Sequence, residues 1–161
     1  MILGFNAVEI FEVAIQIEEN GRMFYEKAGE LVENSDIKDL FKDLAGQEQE
    51  HKNSFVSMKS QLPDSAKKPV AWDPDNETGA YLKMMADINI FKADVNVEEK
   101  LGQVKDVKDA LRFAIDFEKE SILFYEGMKK VVPGHEQKVV DEVIAQEQGH
   151  LKQLQDLKAN L

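Results

Sequence analysis

Apolar residues recur along most of this chain at steps of three and four, the spacing of a helix face turned toward a core. From about Phe5 to Glu33 they form one seam, Ile10, Ala14, Ile17, Phe24, Ala28 and Leu31, with Phe11, Ile15 and Tyr25 beside it. Asn34-Ser35-Asp36 ends that seam with side chains that favour helix ends and can cap the next helix. The second helix is expected from about Asp36 to Gln61, and so short a connection makes the two antiparallel neighbours. Pro63, Pro69 and Pro74 then forbid a continuous helix, and the chain crosses over. A shorter helix follows from about Asn76 to Phe91, with Tyr81, Met84, Met85, Ile88 and Phe91 on one side, then an acidic, irregular piece to Lys105. Trp72 is expected to pin the crossover against the rest of the protein. A long helix runs from about Asp106 to Val132, where Pro133-Gly134 stops it, and the last runs from about His135 to the terminus. Four long helices, two tight turns and one long crossover describe an all-α four-helix bundle, one domain over residues 1–161.

The seams are interrupted in a repeated way. Around Gln47-Glu48-Gln49-Glu50-His51 the stripe reads Ile37, Phe41, Leu44, Glu48, His51, Phe55, Met58. Around Gln146-Glu147-Gln148-Gly149-His150 it reads Val140, Val143, Glu147, His150, Leu154, Leu157. In both, a Glu precedes a His by three residues, so the two side chains lie one turn apart on one face, where a core residue belongs. A carboxylate in mid-core is costly unless a cation accompanies it, and neither stripe supplies a Lys or Arg. The plainer reading, surface Glu and His residues with buried stems, fits one copy better than two.

The first and third long helices repeat as well. Ala14, Ile15, Glu18, Phe24, Tyr25 and Glu26 correspond to Ala114, Ile115, Glu118, Phe124, Tyr125 and Glu126, an offset of one hundred residues against ninety-nine between His51 and His150. The chain is two helix hairpins built on one plan. Glu118 lies in the apolar stripe Leu111, Ala114, Ile115, Glu118, Ile122, Tyr125, and the repeat puts Glu18 in the same place. All four Glu residues are near mid-helix, so Glu18, Glu48, His51, Glu118, Glu147 and His150 can meet at one height. Two divalent cations would balance their four carboxylates. The competing role for Glu18 is an ion pair with Arg22, one turn away.

Composition narrows the chemistry. With 31 acidic and 20 basic residues the net charge is −11, which repels nucleic acid and anionic membranes. No cysteine is present, so a metal must use oxygen and imidazole. No stretch reads as a signal peptide or approaches the ~20 apolar residues of a membrane span, and a cytoplasmic location is expected. Carboxylate and imidazole ligands suit iron or manganese. His135 is expected at the surface.

Two Glu-x-x-His pairs plus one Glu from each remaining helix match the di-metal arrangement of ferritin-like bundles. Ala14-to-Tyr25, Leu44-to-His51, Ala114-to-Tyr125 and Gln146-to-His150 together resemble the diiron domain of the rubrerythrin family, over nearly the whole chain. The resemblance implies a ferritin-like bundle holding two iron ions, with manganese or zinc able to substitute. It makes Glu18 and Glu118 terminal ligands, Glu48 and Glu147 bridges, and His51 and His150 ligands of one iron each. Tyr25 and Tyr125 would hydrogen-bond to the site, core filling being their plainer role. Two departures stand out. The extra carboxylate that rubrerythrins carry one turn beyond the third-helix Glu is Ser121 here, with Gly21 as its counterpart, which puts chemistry that moves iron between ligands in doubt. The cysteine-ligated rubredoxin module usual in the family is lacking, so electrons would come from an external donor protein such as a rubredoxin or from ferrous iron itself. The chain ends with its fourth helix, where ferritin cages commonly add a fifth, and bulk iron storage is not expected.

The activity expected is reduction of hydrogen peroxide or dioxygen at the two-iron centre. A ferroxidase is the alternative within the class, and a non-enzymatic, metal-stapled helical interaction module the alternative outside it. The long crossover is compatible with exchange of hairpins between subunits, and a homodimer is expected.

Overall fold

A computed structural model of the chain describes residues 6–67, 77–89, 95–132 and 134–161. Helix α1 (Ala7–Leu31) starts from a capping box. The Asn6 side chain accepts the Glu9 N–H at 2.9 Å, while the Asn6 N–H donates to the Glu9 carboxylate at 2.9 Å, so two backbone donors at the helix start are satisfied reciprocally. Helix α2 (Ser35–Ser60) starts from Asn34, whose side chain accepts from the N–H groups of Asp36 and Ile37. After α2 come one 3-10 turn (Asp64–Lys67), α3 (Glu77–Ile88) and α4 (Val97–Leu101). Helix α5 (Val107–Met128) is capped by Asp106 and runs into a 3-10 turn (Lys129–Val131), and α6 (Gln137–Ala159) completes the bundle. Among the described residues there is no strand, and no helix is long and apolar enough to cross a membrane.

Touching side chains fix the helix directions. Phe11 meets Phe55 and Tyr25 meets Phe41, so α2 descends as α1 rises. Phe24 meets Phe113, and a Cβ on Gly21 would meet Phe117, so α5 also descends against α1. His51 faces Gln146 and His150 faces Gln47, which makes α2 and α6 antiparallel. It follows that α2 and α5 are parallel. The chain must therefore travel back along the bundle, roughly 39 Å at 1.5 Å per residue of α2, before α5 can begin. That return is the long crossover, with α3 packed on α5 and α4 on α1.

The core lies in two apolar halves. Ile17, Phe24, Tyr25, Phe41, Leu111 and Phe117 belong to one; Phe11, Phe55, Phe124, Tyr125, Met128 and Val140 belong to the other. Between them, at mid-helix height, lie the buried Glu18, Glu48, His51, Glu118, Glu147 and His150.

Three expectations change. The inward face of α3 is Gly79, Leu82, Met85 and Ala86, whereas Tyr81, Met84 and Ile88 are largely exposed. Gly127 on α5 leaves room for the α3 side chains Leu82 and Tyr81, which sets the rotation of the short helix. Leu31 is 67% exposed, because α1 ends there and Val32 turns into the core instead. Residues 97–101 are not irregular: Asn96 caps the five-residue α4 by accepting the Glu99 N–H at 3.1 Å. Trp72, Phe91 and Pro133 fall outside the described residues. His135 is exposed.

Two glycines should answer substitution in opposite ways. A Cβ at Gly21 would run into the tip of the fully buried Phe117 ring, and one at Gly46 would meet nothing within 4 Å. In urea titrations, Gly21→Ala is expected to lower stability by about 1–3 kcal/mol through overpacking. Gly46→Ala, in an open helix interior, is expected to raise it by about 0.5–1 kcal/mol.

Candidate metal centre

Each of the four long helices contributes to the central layer because its apolar stripe is interrupted there, by one Glu on α1 and α5 and by a Glu and a His on α2 and α6. Every residue of the α2 stripe from Ile37 to Met58 is buried, Glu48 and His51 among them. On α6, Val140, Val143, Glu147, His150 and Leu154 are buried likewise. Glu18 on α1 and Glu118 on α5 are fully buried as well. All six groups singled out in the sequence therefore sit together.

They fall into two overlapping sets. Glu18, Glu48, His51 and Glu147 each offer a ligand atom, all within 4.8 Å of one another, and Glu48, Glu118, Glu147 and His150 do the same. Glu48 and Glu147 belong to both. The Nδ1 atoms of both histidines face the carboxylates: His51 Nδ1 is 2.9 Å from Glu147 and 3.6 Å from Glu18. His150 Nδ1 is 3.1 Å from Glu147, 3.7 Å from Glu118 and 4.0 Å from Glu48. The two rings lie nearly parallel, 5.9 Å apart.

Two tyrosines close the layer, and they cross between the hairpins. The Tyr25 hydroxyl on α1 donates to Glu118 on α5 at 2.6 Å, and the Tyr125 hydroxyl on α5 donates to Glu18 on α1. Phe24, Phe41 and Phe117 pack around Tyr25; Phe55 and Phe124 pack around Tyr125. Both tyrosines thus serve as hydrogen-bond donors and as core. Arg22 is not the partner of Glu18. It binds Glu19 at 2.6 Å and Glu26 at 2.7 Å on the outside of α1, which with Lys52 holds Glu19 down to about 2.

The electrostatics show what a protein without a cation must do here. Burial, followed by repulsion from Glu147, pushes Glu48 and Glu118 well above the carboxylate range. Burial works against the charge of Glu147, but hydrogen bonds from Glu118 and both histidines outweigh it and lower its pKa. Burial also opposes the charge of His51, yet Glu147 and Glu18 push its pKa up to about 11. Burial and the neighbouring carboxylates raise both tyrosines, so the phenols stay protonated as donors. The layer thus holds protons where cations would otherwise stand. Both oxygens of Glu48 and one each of Glu18, Glu118 and Glu147 remain buried without a hydrogen-bond partner. Unsatisfied carboxylate oxygens converging beside two Nδ1 atoms, with no thiolate, fit two divalent ions of the iron or manganese type.

The sequence profile of the rubrerythrin family matches residues 9–158. The chain belongs to the rubrerythrin family. A solved structure from Thermotoga maritima, described as a ferritin-like diiron-carboxylate protein, is 29% identical to this rubrerythrin-family chain. It superposes with a TM-score of 0.75, covering 99% of this chain and 98% of that one. No curated protein matches the chain at a significant level. The positions at which the sequence departs from rubrerythrins are tightly enclosed: Ser121 is fully buried with its hydroxyl unpartnered, and Gly21 lies against Phe117.

Two residues escaped the sequence reading. The Gln47 side-chain oxygen lies 2.5 Å from His150 Nε2, and that of Gln146 lies 2.7 Å from His51 Nε2. Their signal was present, since a Gln directly precedes the buried Glu in both copies of the repeat.

Because metal must displace protons from this layer, uptake of divalent ions at pH 7 should release protons, and affinity should fall as pH falls. The sign follows from His51, protonated up to about 11 without metal, and from the raised Glu48 and Glu118. Calorimetry in two buffers of different ionisation enthalpy checks it. Glu147→Gln, which alters a group common to both sets, should weaken both ions, whereas Glu118→Gln should leave one tightly held.

Proposed function

We propose that this chain is a diiron-carboxylate oxidoreductase that reduces hydrogen peroxide or dioxygen. Glu18 and His51 would hold one iron, Glu118 and His150 the other, and Glu48 and Glu147 would be shared. The observation that carries this reading is the overlap of two four-residue donor sets in two carboxylates. Separate sites would share none, and a single site would need only one of the two Glu-x-x-His pairs.

What a bound iron pair supplies is one electron from each ion toward the O–O bond of the substrate. The protein supplies the rest. The Tyr25 and Tyr125 hydroxyls orient the outer carboxylates of Glu118 and Glu18. The aromatic packing on either side keeps bulk water from the layer, where each hydrogen bond and charge is worth more than in solvent. Two-electron reduction of peroxide to water consumes two protons and leaves the centre oxidised. The sequence has no cysteine to hold a rubredoxin-type iron, and the electrons that restore the centre would come from an external donor protein or from ferrous iron itself.

The reading is tested by loading the protein anaerobically with ferrous iron and adding hydrogen peroxide. Two irons per chain and one peroxide consumed per iron pair are expected, with Glu147→Ala reduced to the rate of free ferrous iron. Turnover with excess ferrous iron and dioxygen, but none with peroxide and a reductant, would assign a ferroxidase. A single tightly held zinc with no redox response would overturn the oxidoreductase and leave a structural staple.

A further inference from the structure

Nothing in the reaction above uses Gln47 or Gln146, yet each stands against a ring nitrogen of the histidine on the facing helix. We propose that Gln47 and Gln146 are positioning residues that hold His150 and His51, so that each half of the metal centre is oriented by the opposite hairpin. This rests on the reading of the six groups as a metal centre.

The argument begins with the imidazole. A neutral ring has one N–H and one lone pair, and a metal takes the lone pair. In both histidines Nδ1 faces the carboxylate layer, at 2.9 Å and 3.1 Å from Glu147. The proton of the metal-binding tautomer must therefore sit on Nε2. It needs an acceptor there, and an amide oxygen is one. Were the amide NH2 turned to the ring instead, Nε2 would have to accept, and the proton would move to Nδ1, where the metal belongs. In both rings Nε2 faces the amide and Nδ1 the carboxylates, so a metal entering at Nδ1 would leave the amide where it is.

The arrangement is reciprocal in every member. Glu18 and His51 come from the α1–α2 hairpin, and their braces, Tyr125 and Gln146, come from α5 and α6. Glu118 and His150 come from the α5–α6 hairpin, and their braces, Tyr25 and Gln47, come from α1 and α2. In both copies the glutamine oxygen meets the ring nitrogen turned away from the carboxylates. The consequence is specific: a change at Gln47 acts on the site whose own ligands, Glu118 and His150, lie on the other hairpin.

Cobalt(II) is the probe, titrated into the full-length protein by calorimetry and located by anomalous scattering. Gln47→Leu should weaken the ion at Glu118 and His150 on the order of 10–100-fold, the usual cost of losing a hydrogen-bond partner behind a metal ligand. The ion at Glu18 and His51 should keep its affinity. Gln47→Glu, which retains an acceptor, should restore the lost affinity. Gln146→Leu should give the mirror result, and because Gln146 is exposed it serves where Gln47→Leu does not fold. In the wild-type apoprotein, 15N spectra of the histidine rings should show Nε2 protonated in both. A wild type that binds no cobalt overturns the metal reading and this inference together. A wild type that binds two, with variants that keep both unchanged or lose both equally, overturns the positioning role alone, as does an unprotonated Nε2.

Discussion

Four carboxylates and two imidazoles in one dry layer are the constraint on which the rest of this structure depends. Each ionised group would lose several kcal/mol of hydration on burial, and among the described residues no Lys or Arg is buried in the layer to compensate. The two apolar halves above and below it can close only if that charge is neutralised. The raised Glu48 and Glu118 and the protonated His51 are one solution, in which protons do the work. Divalent ions are the other, and the unpartnered oxygens of Glu48, Glu18 and Glu118 are the acceptors they would find.

The directions of the helices turn this layer into a two-fold arrangement. Because α1 and α5 are antiparallel, the residue two turns beyond each central Glu leans back across the layer toward the partner Glu. Tyr25 and Tyr125 accordingly reach Glu118 and Glu18 and not the carboxylates of their own helices. The antiparallel pair α2 and α6 produces the same exchange between the glutamines and the histidines. A bundle in which α2 and α5 were antiparallel would need no long return of the chain, but it would run α1 and α5 parallel and lose the antiparallel pairing from which these exchanges arise. The length of the crossover is thus a consequence of the geometry of the centre.

The centre of this rubrerythrin-family chain is tightly enclosed at two positions. Ser121 is buried with no hydrogen-bond partner, and Gly21 is small because the Phe117 ring occupies the space its side chain would need. Neither position offers a further carboxylate, and among the described residues six donor groups make up the central layer. The ionic contacts of Arg22 stay on the outer surface of α1, with Glu19 and Glu26, and do not reach the layer.

The sequence by itself determined the long helices, the stripes that face inward and the six groups that interrupt them. A 3.6-residue period makes burial legible wherever a stripe is long, and a repeat makes an anomaly in one stripe count twice. It did not determine which face of α3 would turn inward, since a twelve-residue helix offers two apolar sides and the packing at Gly127 chooses between them. Nor did it reveal the five-residue α4, whose formation depends on one Asn96 cap and on contact with α1. The crossed bonds of Tyr25, Tyr125, Gln47 and Gln146 were decided only in the tertiary structure. Each joins residues at least 93 positions apart, and which helix a side chain meets depends on direction and height in the bundle, which no local pattern encodes.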